Sequence, residues 1–227
     1  MYKILFTFCL LVFTANAALI GSNFSQRDLT VLDELDIDSS FITDYKLQKA
    51  YNRYLKGYQK NYVNKFNNAT LLVPKVKEIL RQEGIPDTFL YMAMAESDFT
   101  IDAKSRVKAM GMWQFMSGTA KMFGLKNDVY VDERMDVVKS TKAASKFLKN
   151  LHKKFDKWYL AAIAYNCGGG RVTEAITRAT LDMHEAKYGK NSSKKAEIRR
   201  YRKTIKAYQQ KRARYSAVNK IYKKVIK

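Results

Sequence analysis

Apolar residues recur along this chain at three- and four-residue intervals, the spacing that lines one side of an α-helix. No convincing two-residue alternation, the rhythm of a half-buried strand, competes with it. From Tyr45 the positions Tyr51, Tyr54, Leu55, Tyr58 and Tyr62 mark a first helix, and Val73 to Gln82 fits a second that Gly84 stops. Pro86 suits the first turn of a third. That third segment, Thr88 to Ser97, is apolar nearly all round, as a helix sunk in a core would be, and it ends in a carboxylate, Glu96. Further helices are predicted for Ser117 to Phe123, Val137 to Phe155 with Asp136 as its cap, Trp158 to Tyr165 and Arg171 to Ala179. The fold class that follows is all-α.

The two ends read differently. Met1-Tyr2-Lys3, an apolar run from Ile4 to Phe13, and Ala15-Asn16-Ala17 have the basic start, short apolar stretch and small-residue cleavage site of an export signal over residues 1–17. The run is short for a bilayer, and no later window reaches the roughly 18 apolar residues of a membrane span. A soluble, exported mature chain starting near Ala18 is expected. Residues 18–44, with Asp28, Asp33, Glu34, Asp36, Asp38 and Asp44 and little periodicity, read as an acidic, partly ordered lead-in. A domain is expected over 45–185, and a helical tail over 186–227. In the tail Ile198, Tyr201, Ile205, Tyr208, Arg212, Tyr215, Tyr222 and Ile226 form a heptad-like series. A packing seam is the favoured meaning of that series, with a polymer-binding face of exposed tyrosines as the alternative.

Composition narrows the class. With 47% hydrophobic residues, 10 Gly and 2 Pro, the 227-residue chain can build a core and is neither collagen-like nor low-complexity. Cys9 lies inside the apolar leader, badly placed for lipid attachment, and leaves with it. Cys167 is then alone, so no internal disulfide is expected, and an inert small hydrophobe is the favoured reading of its thiol. The net charge of +21 is uneven: 16 basic residues and one acid fall in 186–227. Such a tail favours a polyanion, and export makes an anionic wall or membrane surface a better partner than nucleic acid.

The residues suited to chemistry form three clusters. A carboxyl at the end of a nearly all-apolar helix, Glu96, is partly desolvated, which raises its pKa toward the range of a general acid; a helix-end glutamate pointing to water is the plain alternative. Gly111-Met112-Trp113-Gln114-Phe115-Met116 combines a glycine permitting close backbone approach, an aromatic platform suited to sugar faces, and an amide that donates and accepts. Ala164-Tyr165-Asn166-Cys167-Gly168 ends an apolar helix in a polar pair and a glycine turn. Each alone is weak, since Trp113 could be core and Asn166 with Gly168 a helix stop. His152 and His184 lack metal-ligand spacing, and no metal site is expected.

In this order, Glu96-Ser97, Gly111-x-Trp113-Gln114-Phe115-Met116 and Ala164-Tyr165-Asn166-x-Gly168 resemble the catalytic domain of the soluble-lytic-transglycosylase type, within the lysozyme-like superfamily. Gly84-Ile85-Pro86, Phe123-Gly124-Leu125 and the stretch from Asp136 to Thr141 are most similar to the membrane-bound lytic transglycosylase D branch. The resemblance implies Glu96 as sole catalytic acid/base, acting without cofactor on the β-1,4 bond between N-acetylmuramic acid and N-acetylglucosamine and leaving a 1,6-anhydro end. It implies that Tyr165 hydrogen-bonds Glu96 or the sugar, that Gln114 and Asn166 hold sugar substituents, and that Ser97 orients the acid or substrate; Gly111 and Trp113 complete the substrate-binding set. A fourth family motif survives in altered form as Glu197-Ile198-Arg199-Arg200-Tyr201, adding Tyr201. Asp98 and Asp102 match no catalytic position of the family.

The expectation is thus a periplasmic enzyme acting on peptidoglycan glycan strands. A muramidase hydrolysing the same bond and a non-catalytic wall-binding protein are the alternatives. A chain ending at Gln210 is expected to fold and to lose only an anchoring charge.

Overall fold

A computed structural model of the chain describes residues 26–188 and 192–226. The expected export signal at 1–17 lies outside the described residues. Ten α-helices are present among them: α1 Gln26–Glu34, α2 Tyr45–Asn68, α3 Leu72–Gln82, α4 Leu90–Ser97, α5 Ser117–Met122, α6 Val137–Phe155, α7 Trp158–Cys167, α8 Gly169–Tyr188, α9 Ser192–Gln209 and α10 Tyr215–Val225. Extended backbone among the described residues is limited to isolated bridges, so the all-α expectation holds. The chain divides into two compact units: one runs to Asn150 and includes Lys157–Tyr159, and the other comprises Leu151–Asp156 and the residues from Leu160 on. No described helix is long and apolar enough to cross a membrane.

In the first unit α3 buries Val76, Ile79 and Leu80, an i, i+3, i+4 set on one face. Gly84 stops it with φ at +64°, and Ile85 N–H donates back to the Leu80 carbonyl at 2.8 Å, closing the helix end. The nearly all-apolar segment then forms a 3₁₀ turn, Asp87–Phe89, and α4; Phe89, Leu90, Ala93 and Met94 are buried, but Tyr91 and Ala95 are exposed, so the helix is covered on one side and not sunk all round as expected. Asp136 caps α6 by accepting from Lys139 N–H at 2.7 Å. The buried stripe of α6 begins with small residues, Ser140, Thr141, Ala143, Ala144 and Ser145, and continues in the large side chains of Leu148, Leu151 and Phe155.

The acidic lead-in differs from expectation. It is helical from Gln26, and most of its acids, though exposed or half-buried, serve as caps and fasteners. Asp38 and Asp44 accept backbone N–H bonds from Ser40 at 2.8 Å and Leu47 at 2.9 Å, starting the 3₁₀ turn Ser39–Thr43 and α2. Asp36 accepts from Trp158 N–H at 2.7 Å, and Glu34 from Thr88 N–H at 3.2 Å and the Thr88 hydroxyl. Helix α2 follows the predicted period, yet none of its 24 residues is buried. Near its start Gln48 donates to the Ile42 carbonyl at 3.1 Å and the Tyr51 hydroxyl to Asp28 at 3.4 Å, and in its last turns Phe66 meets Tyr91 and Phe99 edge-on with ring centroids 5.6 and 5.5 Å apart.

The second unit is organised by α8, α9 and α10, whose core joins Leu181, Ile198, Tyr201, Ile205, Ile221 and Val225. The heptad-like series is therefore a packing surface in α9, but it does not run straight through. The chain turns at Lys211, at φ +58°, and α10 returns with Val218, Ile221 and Val225 buried while Ile226 is exposed. Tyr215 anchors that return: its hydroxyl is in hydrogen-bond contact with Thr173 at 3.2 Å and accepts from the Lys154 ammonium, which also lies over its ring. A chain ending at Gln210 would strip Val218, Ile221 and Val225 from this core, so the expected tolerance of that cut is overturned. Part of the tail's charge is also paired, Arg202 bridging Asp182 at 2.6 Å and Glu185 at 2.5 Å.

Candidate active site

Glu96 is half-buried in the last turn of α4, behind the buried Ala93 and Met94. The helix stops there because two successive residues, Asp98 and Phe99, take left-handed backbone at φ +55° and +63°. Phe99 is buried against Phe66, and Asp98 is exposed and ion-paired with Lys65 at 2.5 Å. Asp102 is exposed in the following turn.

Ser97 fixes this helix end to the second cluster by donating its hydroxyl to the Met112 carbonyl at 2.9 Å. The cluster is a tight hairpin: Met110 and Phe115 exchange backbone hydrogen bonds of 3.1 Å, and Gly111 to Gln114 make the turn between them. Gly111 and Gln114 both have positive φ, +83° and +48°. Gln114 is half-buried, and its amide N–H donates to the Ala103 carbonyl at 3.0 Å and the Gly111 carbonyl at 2.9 Å.

Two sequence assignments change here. Trp113 is not a sugar platform: it is 0% exposed and donates its indole N–H to the Thr141 hydroxyl at 3.0 Å. A Trp buried with its N–H satisfied is a core anchor, and this one fastens the hairpin to α6. Gly111 does allow a close approach, but the approaching group is protein. A Cβ there would lie 1.9 Å from the Arg134 carbonyl oxygen.

Sequence reasoning missed Arg134. It is 8% exposed and donates to the Lys108 and Phe115 carbonyls, both at 3.1 Å, clamping the base of the hairpin. Asp132 neutralises it through a two-point bridge of 2.8 and 2.6 Å, and those hydrogen bonds hold the Asp132 carboxyl below its ordinary pKa despite partial burial. The alternation Asp132-x-Arg134-x-Asp136 ahead of α6 was the available signal, but the destination of the guanidinium depends on a loop about 20 residues away.

The third cluster belongs to the second unit. Tyr165 is half-buried and Asn166 exposed at the end of α7, after the buried Ala161 and Ala164, and Gly168, at φ +88°, ends the helix by donating to the Ala164 carbonyl at 2.9 Å. Cys167 is a free, half-buried thiol. Tyr201 lies in the hydrophobic core, 8% exposed, and donates its hydroxyl to Glu197 at 2.6 Å. That bond, with burial second, pushes the Tyr201 phenol up, and the same bond holds Glu197 down against the opposing effect of burial. Its place in the structure is therefore that of a core residue.

Comparison with known proteins bears on these clusters together. Residues 76–187 match the family described as Transglycosylase SLT domain. Among individual proteins, the chain is 40% identical over 99 residues to a putative tributyltin chloride resistance protein of Alteromonas sp., covering 43% of this chain and 48% of that protein. It is 39% identical over 98 residues to membrane-bound lytic murein transglycosylase D of Escherichia coli, covering 43% of this chain and 22% of that protein. A third match, 42% over 88 residues, is to peptidoglycan transglycosylase gp16 of Escherichia phage T7, covering 38% of this chain and 7% of that protein. The chain thus spans about half the length, or much less, of these relatives. The helix carrying Glu96, the hairpin from Met110 to Phe115 and the Tyr165-Asn166 turn all fall within the matched region, and residues 76–187 of this chain belong to the transglycosylase SLT domain family, with its lysozyme-like helical fold.

Proposed function

We propose that the chain is a peptidoglycan lytic transglycosylase in which Glu96 is the sole acid and base. The observation that carries this reading is the setting of Glu96: a half-buried carboxyl at the C-terminal end of a helix buried on one side, held to the hairpin of Gln114 by the Ser97 hydroxyl. The neutral carboxylic acid is the form needed to protonate a leaving oxygen.

In the reaction, the Glu96 carboxylic acid gives its proton to the β-1,4 oxygen as the bond to C1 of N-acetylmuramic acid breaks. The carboxylate left behind takes the proton of the C6 hydroxyl, whose oxygen closes on C1 as the 1,6-anhydro ring. Water is not consumed, and the enzyme returns to its starting protonation state. A glycosidase that hydrolyses normally needs a second carboxylate. The two acids nearest in sequence are exposed, and Asp98 is held by Lys65, which supports the single-carboxylate route.

Gln114, its amide N–H engaged with its own loop, offers the amide oxygen to a sugar N–H or hydroxyl. Tyr165 and Asn166 are assigned to hydrogen-bonding the substrate. Ser97 and Arg134 act as positioning residues. The leader at 1–17 and the basic second unit support export to the periplasm and attachment to an anionic wall or membrane surface. Relatives named for murein and peptidoglycan transglycosylase support the substrate. Mass analysis of muropeptides released from purified sacculi tests the proposal: 1,6-anhydro ends are expected, and reducing ends alone would make the protein a muramidase.

A further inference from the structure

Helix α2 carries six lysines and arginines, five tyrosines and no acid in 24 residues, and it is the least buried long helix of the first unit. At 100° per residue its cations Lys46, Lys49, Arg53, Lys56 and Lys60 fall on one side, and Tyr51, Tyr54, Tyr58 and Tyr62 fall opposite. Every residue from Arg53 to Asn61 is exposed, Tyr54 at 51% and Tyr58 at 48%. The tyrosines form a strip, with the Tyr54 ring 5.6 Å from Tyr58 and 6.3 Å from Tyr62. Along the border between cations and rings runs a groove of about 630 Å³ lined by Arg53, Tyr54, Tyr58, Asn61 and Lys65. Asn61 and Lys65 also line a second groove of about 390 Å³ that reaches Asp98 and Thr100, just past Glu96.

We infer that this face of α2 is a binding track for an acidic glycan strand, extending the hold on substrate away from Glu96; the inference rests on the proposed transglycosylase reading. Rings stack on the apolar faces of sugars, and cations pair with the carboxylates of lactyl groups and peptide branches. Geometry favours a strand over a bilayer. A flat membrane meets one side of a helix, whereas here cations and rings lie on opposite sides and converge only in the groove. The groove also leads to the catalytic turn, as a track for the same polymer must.

The test is the triple variant Lys49→Ala, Arg53→Ala, Tyr58→Ala in the full chain. All three positions are exposed and alanine favours the helix, so folding is retained, which circular dichroism checks. On long glycan strands KM should rise about tenfold with kcat unchanged, while turnover of short glycan fragments stays at the wild-type level. An unchanged KM on long strands, or an equal loss on long and short substrates, overturns the inference. Co-sedimentation of Glu96→Gln protein with sacculi, with and without the triple substitution, reads the track without turnover. Weaker sedimentation of the triple variant supports the track even if the products prove hydrolytic. If the triple substitution instead abolishes binding to phosphatidylglycerol vesicles and leaves sacculus binding intact, the face is membrane-directed and the inference is wrong.

Discussion

Replacing Gly111 by alanine tests whether the hairpin is held by the approach of Arg134. Two costs are expected. The backbone at φ +83° disfavours any Cβ, by about 1 kcal/mol. The added carbon would also sit 1.9 Å from the Arg134 carbonyl oxygen, a backbone atom that cannot swing aside like a flexible side chain. Relieving that overlap means separating the hairpin from Arg134, at a further cost of about 2–3 kcal/mol, typical of overpacking. The sum, about 3–4 kcal/mol, corresponds to a fall in Tm of roughly 6–16 °C for a chain of this size, at about 2–4 °C per kcal/mol. Gly84 is the internal control: its φ is +64°, but a Cβ there meets nothing within 4 Å. Gly84→Ala should lose only about 1 kcal/mol, roughly 2–4 °C, and keep full activity. Differential scanning calorimetry and sacculus digestion, run on both variants, compare the backbone term with backbone term plus overlap. Equal melting temperatures with activity retained in both would show that the hairpin yields easily and that the Arg134 contact does not set its geometry.

Other perturbations separate chemistry from scaffolding. Glu96→Gln should reduce turnover by at least about 10²–10⁴ while sacculus binding persists, and Asp98→Asn and Asp102→Asn should be mild; a loss in either matching Glu96→Gln in muropeptide release would refute the single-carboxylate route. Trp113→Ala should destabilise by about 3–5 kcal/mol in urea unfolding, as a buried anchor does, whereas a mere sugar platform would change only KM. Ile221→Ala should cost about 2–4 kcal/mol, and the chain ending at Gln210 should lose the cooperative unfolding of its second unit by calorimetry. Because Arg134 lowers the folded pKa of Asp132, that carboxylate stabilises the protein above its unfolded pKa of about 4, and the contribution disappears as pH falls through the lower folded value. Asp132→Asn should therefore be less stable than wild type at pH 7, and the gap should narrow below about pH 4 in pH-dependent unfolding.

Helices and the main cluster residues were legible because their signals are local. A four-residue period, a glycine stop and an aspartate cap each lie within a few positions of what they control, as Val76, Gly84 and Asp136 illustrate. Trp113 was misread because its burial is decided by Thr141, 28 residues on, and an aromatic in a glycine turn can face either way. The break between α9 and α10 was missed because Lys211 supplies the left-handed turn usually marked by glycine. For the lead-in, acidity with little periodicity was read as partial order, when Asp38, Asp44 and Asp36 each meet a backbone N–H. In α2 the period was read correctly, but period alone does not reveal whether a partner exists for the face it defines.

The turn behind Glu96 stores strain. Asp98 tolerates left-handed backbone, but a phenylalanine at φ +63° is a genuine outlier, and residues so held cost on the order of 1–3 kcal/mol each. What offsets that cost comes from α2, through Phe66 on the Phe99 ring and Lys65 on the Asp98 carboxylate. Glycine at 99 would relax the backbone but remove a buried ring, a loss of about 3–5 kcal/mol that exceeds the strain relieved. Packing therefore keeps the strained conformation, and a helix with no buried residue of its own holds the turn that follows the proposed catalytic carboxyl.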